Sequence, residues 1–174
     1  QQHILNAILI KSYMKAIDET VTLTAEEEIV LHDYLFSVEI WGHYELLFFS
    51  SCSSLLSVQL LTKYTREMLR KSDFLQGVGK NRNMMHTLLL NGFMACIEVD
   101  DFTNALYFKK QIEQNFFEEN ETYFRIVYRW AEGLLDSKQG RAEEGQRKME
   151  DAIRIFEMIG CSKSADYYRS AMKC

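Results

Sequence analysis

The chain has 174 residues, 47% of them hydrophobic, which excludes a disordered polymer and suffices for one domain with a substantial core. Its formal net charge of -5 and pI of about 5.4 exclude an electrostatic footprint for nucleic acid within this stretch. There is no proline, so nothing interrupts helix interiors, and long helices joined by short polar turns are expected.

Residues 3–18 place Ile4, Leu5, Ala7, Ile8, Tyr13 and Ile17 mostly at three- and four-residue spacings, a helical pattern. The β-branched run Thr20-Val21-Thr22 ends it. Thr24 precedes Glu27 by three, the spacing of a capping box, and starts a helix whose apolar face is Leu31, Tyr34, Leu35 and Val38. Either Gly42 breaks this helix or it runs on through Glu45 to Phe49; two helices with the break near 38–42 are expected. Tyr34 and Trp41 are expected to pack against neighbouring helices. Ser50-Ser51-Cys52-Ser53-Ser54 reads as a polar turn that leaves Cys52 exposed. The next helix covers 54–71, with Leu60, Leu61, Tyr64 and Met68 on one face and a basic end (Arg66, Arg70, Lys71) that suits the helix dipole. Gly77-Val78-Gly79 reads as a loop, and 81–99 as a helix in which Gly92 marks a close helix contact.

From residue 100 the pattern recurs. Asp100-Asp101 caps a helix carrying Ala105, Phe108, Ile112 and Phe116. Asn120 is expected to cap another, with Tyr123, Val127, Trp130, Ala131 and Leu134, which stops at Gly140. The following helix carries Gly145, Met149, Ala152, Ile153 and Phe156 and stops at Gly160, and 164–172 forms the last. Aligning Asp100 with Gly140 sets Ala105 on Gly145 and Leu90 on Trp130, a period of 40 residues with a small residue five positions after each turn. Small residues there let antiparallel helices approach closely. The expected fold is all-α, with stacked antiparallel helix pairs forming a tetratricopeptide-like right-handed superhelix.

Little in the sequence suggests catalysis. Gly77-Val78-Gly79-Lys80 lacks the earlier glycine and the Ser or Thr that a phosphate loop needs, since Phe74 and Asn81 stand there. Glu28/His32 and Glu39/His43 are spaced by four rather than the three of a di-iron bundle, and read as helix-surface contacts. His86 reads as a buried histidine bonded to a neighbour. No nucleophile elbow accompanies any Ser or Cys, so no catalytic residue, metal or cofactor is expected. The cysteines at 52, 96, 161 and 174 match no zinc spacing and predict a reduced, cytosolic compartment. No apolar run reaches the ~20 residues of a membrane span. The start at Gln1 rather than Met predicts a piece of a longer protein.

Lys80-Asn81-Arg82-Asn83 is of another kind. Two amides and two cations open a helix whose next turns are apolar, and Asn91 lies two to three turns on. A peptide groove needs amides, which both donate to and accept from a peptide backbone, together with apolar pockets and often a cation for a carboxylate. The alternative is an ordinary solvated helix start.

Three blocks then resemble one family. They are Asp33-Tyr34-Leu35-Phe36-x-x-Glu39-x-Trp41-Gly42-x-Tyr44-Glu45-Leu46; Lys80-Asn81-Arg82 followed by Leu88-Leu89-Leu90-Asn91; and Gly140-x-x-Glu143-Glu144-Gly145-x-x-Lys148-Met149-x-x-Ala152-Ile153. In this order and spacing, from about 20 to 172, they resemble the C-terminal domain of Rgg/GadR/MutR-type transcription regulators. The resemblance implies that 1–174 is a regulatory and dimerisation domain, with helix 3–18 leading from a helix-turn-helix domain absent here. It implies a homodimer that meets DNA only through that missing domain, and a short hydrophobic signalling peptide as ligand. Under it, Lys80, Asn81 and Arg82 mark the ligand site. Arg82 pairs with a peptide carboxylate, Asn83 and Asn91 bond its backbone, and Phe93, Tyr128 and Trp130 line pockets unless they are plain core. A tetratricopeptide-like protein-interaction scaffold without a gene-regulatory role is the alternative function.

Overall fold

The computed structural model describes residues 2–71, 79–115 and 119–172, with side chains from 81 on in the second stretch. The expected loop at Gly77-Val78, Phe116, Cys174 and the Lys80 side chain therefore lie outside the described residues. The described residues form nine α-helices: α1 (Gln2–Lys15), α2 (Ala25–Ser37), α3 (His43–Cys52), α4 (Val58–Lys71), α5 (Gly79–Glu98), α6 (Phe102–Asn115), α7 (Thr122–Lys138), α8 (Ala142–Met158) and α9 (Ser162–Ala171). The chain divides into two compact units, one ending at Gly92 and one beginning at Phe93.

In the first unit the capping box at the start of α2 is complete. Thr24 Oγ1 accepts from the Glu27 backbone N–H (3.3 Å), and Glu27 Oε2 accepts from the Thr24 N–H (2.7 Å). Glu27 also accepts from Lys11 Nζ at 2.6 Å, which ties α1 to α2. The Lys11 bond, with the Thr24 bonds behind it, holds the Glu27 carboxyl below its ordinary range. The break near 38–42 is also as expected. Val38 leaves the helix in extended conformation, Gly42 is the N-cap of α3, and the turn between them sends Val38 and Trp41 inward.

The serine run departs from expectation. It is not a turn, because α3 continues through Cys52 into a single 3-10 turn, Ser53–Leu55, and α4 starts only at Val58. Ser53 Oγ donates to the Ser50 carbonyl (2.8 Å), so the hydroxyl back-bonds to the helix and needs no water. Phe49 and Cys52 then face the core. Cys52 is fully buried rather than exposed, and burial pushes its thiol up to about 12, which makes it inert.

In the second unit α6, α7, α8 and α9 begin at 102, 122, 142 and 162, one helix every twenty residues. Three of the preceding turns are alike. Asp100, Gly140 and Gly160 have φ of 58°, 87° and 78°. In each, the next residue's N–H returns to a carbonyl five positions back: Asp101 to Cys96, Arg141 to Asp136 and Cys161 to Phe156. This is the Schellman closure, which satisfies the last free carbonyls of a helix. The 40-residue period is thus two helix steps, and Asp100 and Gly140 are equivalent positions. Asp101 caps α6 as expected, accepting from the Asn104 N–H at 3.2 Å. Asn120 does not cap α7. Glu121 occupies the N-cap with no side-chain bond, because Asn120 falls in step with Asp100, Gly140 and Gly160, at the end-of-turn position.

Small residues recur at the same step, where Ala105, Gly145 and Ala165 are all buried. The tightest approach is α7 on α8. A methyl group on Gly133 would stand 2.5 Å from the Gly145 carbonyl oxygen, so these backbones meet with no room for a side chain. The core beside this contact is aromatic. Phe156 lies between Tyr123 (5.5 Å between ring centres) and Tyr168 (5.7 Å, parallel).

Candidate ligand-binding residues on α5 and α7

The predicted site residues fall in both units. On α5, Asn81 is only 3% exposed, and its Oδ1 lies 2.9 Å from His43 Nδ1. With that oxygen as acceptor, Nδ1 of His43 carries the proton. The expected Glu39/His43 helix-surface contact is corrected here: the break at 38–42 separates the two, and His43, the first residue of α3, turns to Asn81 instead. His32, the other paired histidine, lies 3.9 Å from Asp33 Oδ1 and against the Phe36 and Tyr64 rings. Arg82 is half-buried and Asn83 exposed. Asn91 donates through Nδ2 to Ser53 Oγ (3.2 Å), fastening the 3-10 turn to α5. His86 is buried, as expected.

Phe93, Tyr128 and Trp130 belong to the second unit and are core side chains. Phe93 is fully buried, with its ring 6.1 Å from Tyr128. Trp130, two residues on, packs 5.1 Å from Tyr168, and its indole N–H is buried with no acceptor among the described residues.

The Tyr128 hydroxyl joins a polar cluster that the sequence reading missed. It donates to Glu113 (2.8 Å) and accepts from Lys109 (2.9 Å), and Lys109 also binds Glu132. Burial pulls the Lys109 ammonium down, but the bonds to Glu132, Tyr128 and Glu113 outweigh it and hold it above the ordinary lysine range. Burial raises the Tyr128 phenol. The Lys109 bond lowers the Glu113 carboxyl. Lys109–Glu113 at i,i+4 was visible in the sequence. The Glu132 link needs α6 and α7 side by side, which spacing along one helix does not reveal.

Asp136, buried near the end of α7, accepts from Arg141 (2.5 Å) and Lys148 (2.6 Å), so one carboxylate joins α7, the turn and α8. Burial raises its pKa, but the bonds from Lys148 and Arg141 outweigh it, and the net shift is downward. A carboxylate depressed in the folded state contributes stability above its unfolded pKa, and that stability is lost as pH falls through the folded value. Asp136→Asn is therefore expected to destabilise the chain at pH 7, and the gap from the parent to shrink below about pH 4. Urea denaturation at both pH values measures this, and a gap that does not change with pH excludes the linkage.

Among the described residues no group of three or more His, Cys, Asp or Glu side chains is placed to hold a metal, and no helix is long and apolar enough to cross a membrane.

Helices repeating at a twenty-residue step and paired through small residues define an all-α, tetratricopeptide-like helical-repeat domain. Residues 1–170 match the family described as HTH-type transcriptional regulator Rgg, C-terminal domain, and the chain belongs to that family. Two solved structures of the Streptococcus dysgalactiae SHP pheromone receptor Rgg2 are similar to it. The first is 28% identical over 98% of this chain and 65% of that one, with a TM-score of 0.83. The second, a cysteine-to-serine variant of the same receptor, is 28% identical over 98% and 62%, with a TM-score of 0.84. A putative transcriptional regulator from Listeria monocytogenes EGD-e shares the fold at 19% identity, over 99% of this chain and 61% of that one, with a TM-score of 0.82. The chain thus spans less than two thirds of the length of each of these proteins.

Proposed function

We propose that this chain is the effector-sensing and dimerising part of a cytosolic transcription regulator, and that its effector is a short hydrophobic peptide. The observation that carries this is the 28% identity over 98% of the chain to proteins described as pheromone receptors. The first turns of α5 support it chemically. Arg82 supplies a cation for a peptide carboxylate, and Asn83 and Asn91 supply amides that both donate and accept. Asn81, nearly buried with its Oδ1 on His43, orients the start of the helix on which these side chains stand. Phe93, Tyr128 and Trp130 contribute as the packed aromatic core of the second unit. DNA contact belongs to a helix-turn-helix domain outside this chain. Peptide binding biases the geometry of the homodimer, and so of the attached DNA-binding pair, as a population shift.

A peptide that binds only the folded state, at a hundredfold excess over Kd, is expected to stabilise the chain by about 2.7 kcal/mol. Thermal melting with short hydrophobic peptides encoded near the gene should show that shift, and Arg82→Ala should remove most of it. Absence of both heat and melting shift with every such peptide overturns the proposal.

A further inference from the structure

The helix dipole accounts for Arg70 and Lys71 at the end of α4, but not for Lys63 two turns earlier. In a chain of net charge -5, α4 carries Lys63, Arg66, Arg70 and Lys71 against one carboxylate, Glu67. Lys63 is exposed and forms no ion pair among the described residues. Its ammonium stands instead over two rings, 5.7 Å from the centre of Phe36 and 5.4 Å from that of Tyr64. Phe36 is 70% exposed, unusual for a phenylalanine on a helix whose other face is core. Between these groups lies a groove of about 280 Å³. Val38, Trp41 and Tyr64 floor it, and Lys63, Glu67, Arg70 and Lys71 rim it.

The rim charges are not equally engaged. Arg70 bonds Glu67 at 2.8 Å, and Lys71 donates to the Val38 carbonyl at 2.9 Å while lying 3.9 Å from Glu67. Glu67 is thus shared by two cations, and the rim keeps a net charge of about +2, with Lys63 uncompensated. An apolar wall, an exposed aromatic and a positive rim together select a ligand that carries negative charge next to an apolar side chain. The groove has room for one large side chain, and its cations are spread over two turns of α4, from Lys63 to Arg70 and Lys71, which suits several carboxylates along one extended polypeptide.

We infer that the α2–α4 groove docks an acidic segment of a partner polypeptide. One apolar side chain lies against Phe36 and the floor, and flanking carboxylates pair with Lys63 and Arg70. This surface is distinct from the α5 residues assigned to the effector, and the proposal does not depend on that assignment.

The test uses the 174-residue chain and a dye-labelled, end-blocked peptide of alternating Glu and Leu or Phe, read by fluorescence anisotropy. Saturable binding is expected, weakening as salt rises and weakened about ten-fold or more by Lys63→Glu and by Arg70→Glu. Both positions are exposed, so unchanged melting curves certify that the variants fold. Arg82→Ala should leave this affinity unaltered, which separates the result from the fate of the effector site. Three outcomes overturn the inference: no saturation at millimolar peptide, equal binding of the peptide with Gln in place of Glu, or indifference to both charge reversals. Equally tight binding of N-acetylphenylalanine alone would also overturn it, by assigning the groove to a small organic acid.

Discussion

Gly145→Ala is expected to lower the stability of the chain by about 2–3 kcal/mol, although alanine is the better helix former. In an open helix the exchange gains roughly 1 kcal/mol. Here the added methyl group would collide with the Gly133 carbonyl oxygen and with Ser137, whose backbone nitrogen would lie only 2.7 Å away. Two of these obstacles are backbone atoms, so relief requires α7 and α8 to separate, and overpacking of that kind costs about 1–3 kcal/mol or more. Separation also strains the Asp136 bonds to Arg141 and Lys148, which span the same turn. Gly140→Ala is the informative comparison. Nothing lies within 4 Å of the added methyl there, and only the left-handed backbone (φ 87°) opposes it, at a cost of about 1 kcal/mol. Denaturant titrations of the two variants should rank them in that order. If Gly145→Ala is neutral or stabilising, the close α7–α8 contact is wrong.

That contact was legible in the sequence because its cause is local and periodic. A small residue five positions after each turn, repeated at 105 and 145, is a statement about helix approach that any reader of the chain can make. The alignment of Asp100 with Gly140 also had a physical basis, since both hold left-handed backbone at a helix end. Only the twenty-residue step inside that period was hidden, because the turn before α7 carries Asn120 and no left-handed residue like Asp100, Gly140 or Gly160. Where the reading failed, polarity was taken for exposure. Ser50 to Ser54 looked like a turn, yet Ser53 bonds back to Ser50, and Cys52 is core. Asn81 is also nearly buried, and its Oδ1 faces His43, a partner 38 residues away that spacing does not reveal. The Lys109–Glu132 bond and the α2–α4 groove are likewise products of helix packing, and periodicity along one helix cannot show them. Family identity survived these errors because it rested on order and spacing over the whole chain.

Trp41→Ala is expected to produce the larger loss, about 3–5 kcal/mol, the usual range for deleting a buried large aromatic. Trp41 is 1% exposed and sits in the turn between α2 and α3, where it is the chief apolar anchor. Its ring lies 5.3 Å from Phe49, which in turn meets Tyr64 edge-on at 6.4 Å, so the cavity would open beside two more buried rings. Trp41→Phe should cost much less. The indole N–H is buried with no acceptor among the described residues, and an unmet buried donor costs about 1–3 kcal/mol. Phenylalanine removes that donor while keeping most of the apolar contact, so the two changes oppose each other. Since Trp41 also floors the α2–α4 groove, Trp41→Phe should leave charge-dependent peptide docking intact, whereas Trp41→Ala should enlarge the groove and weaken it. Equal destabilisation by Ala and Phe would mean that the indole N–H does have a partner, and that this turn is held by a hydrogen bond rather than by packing.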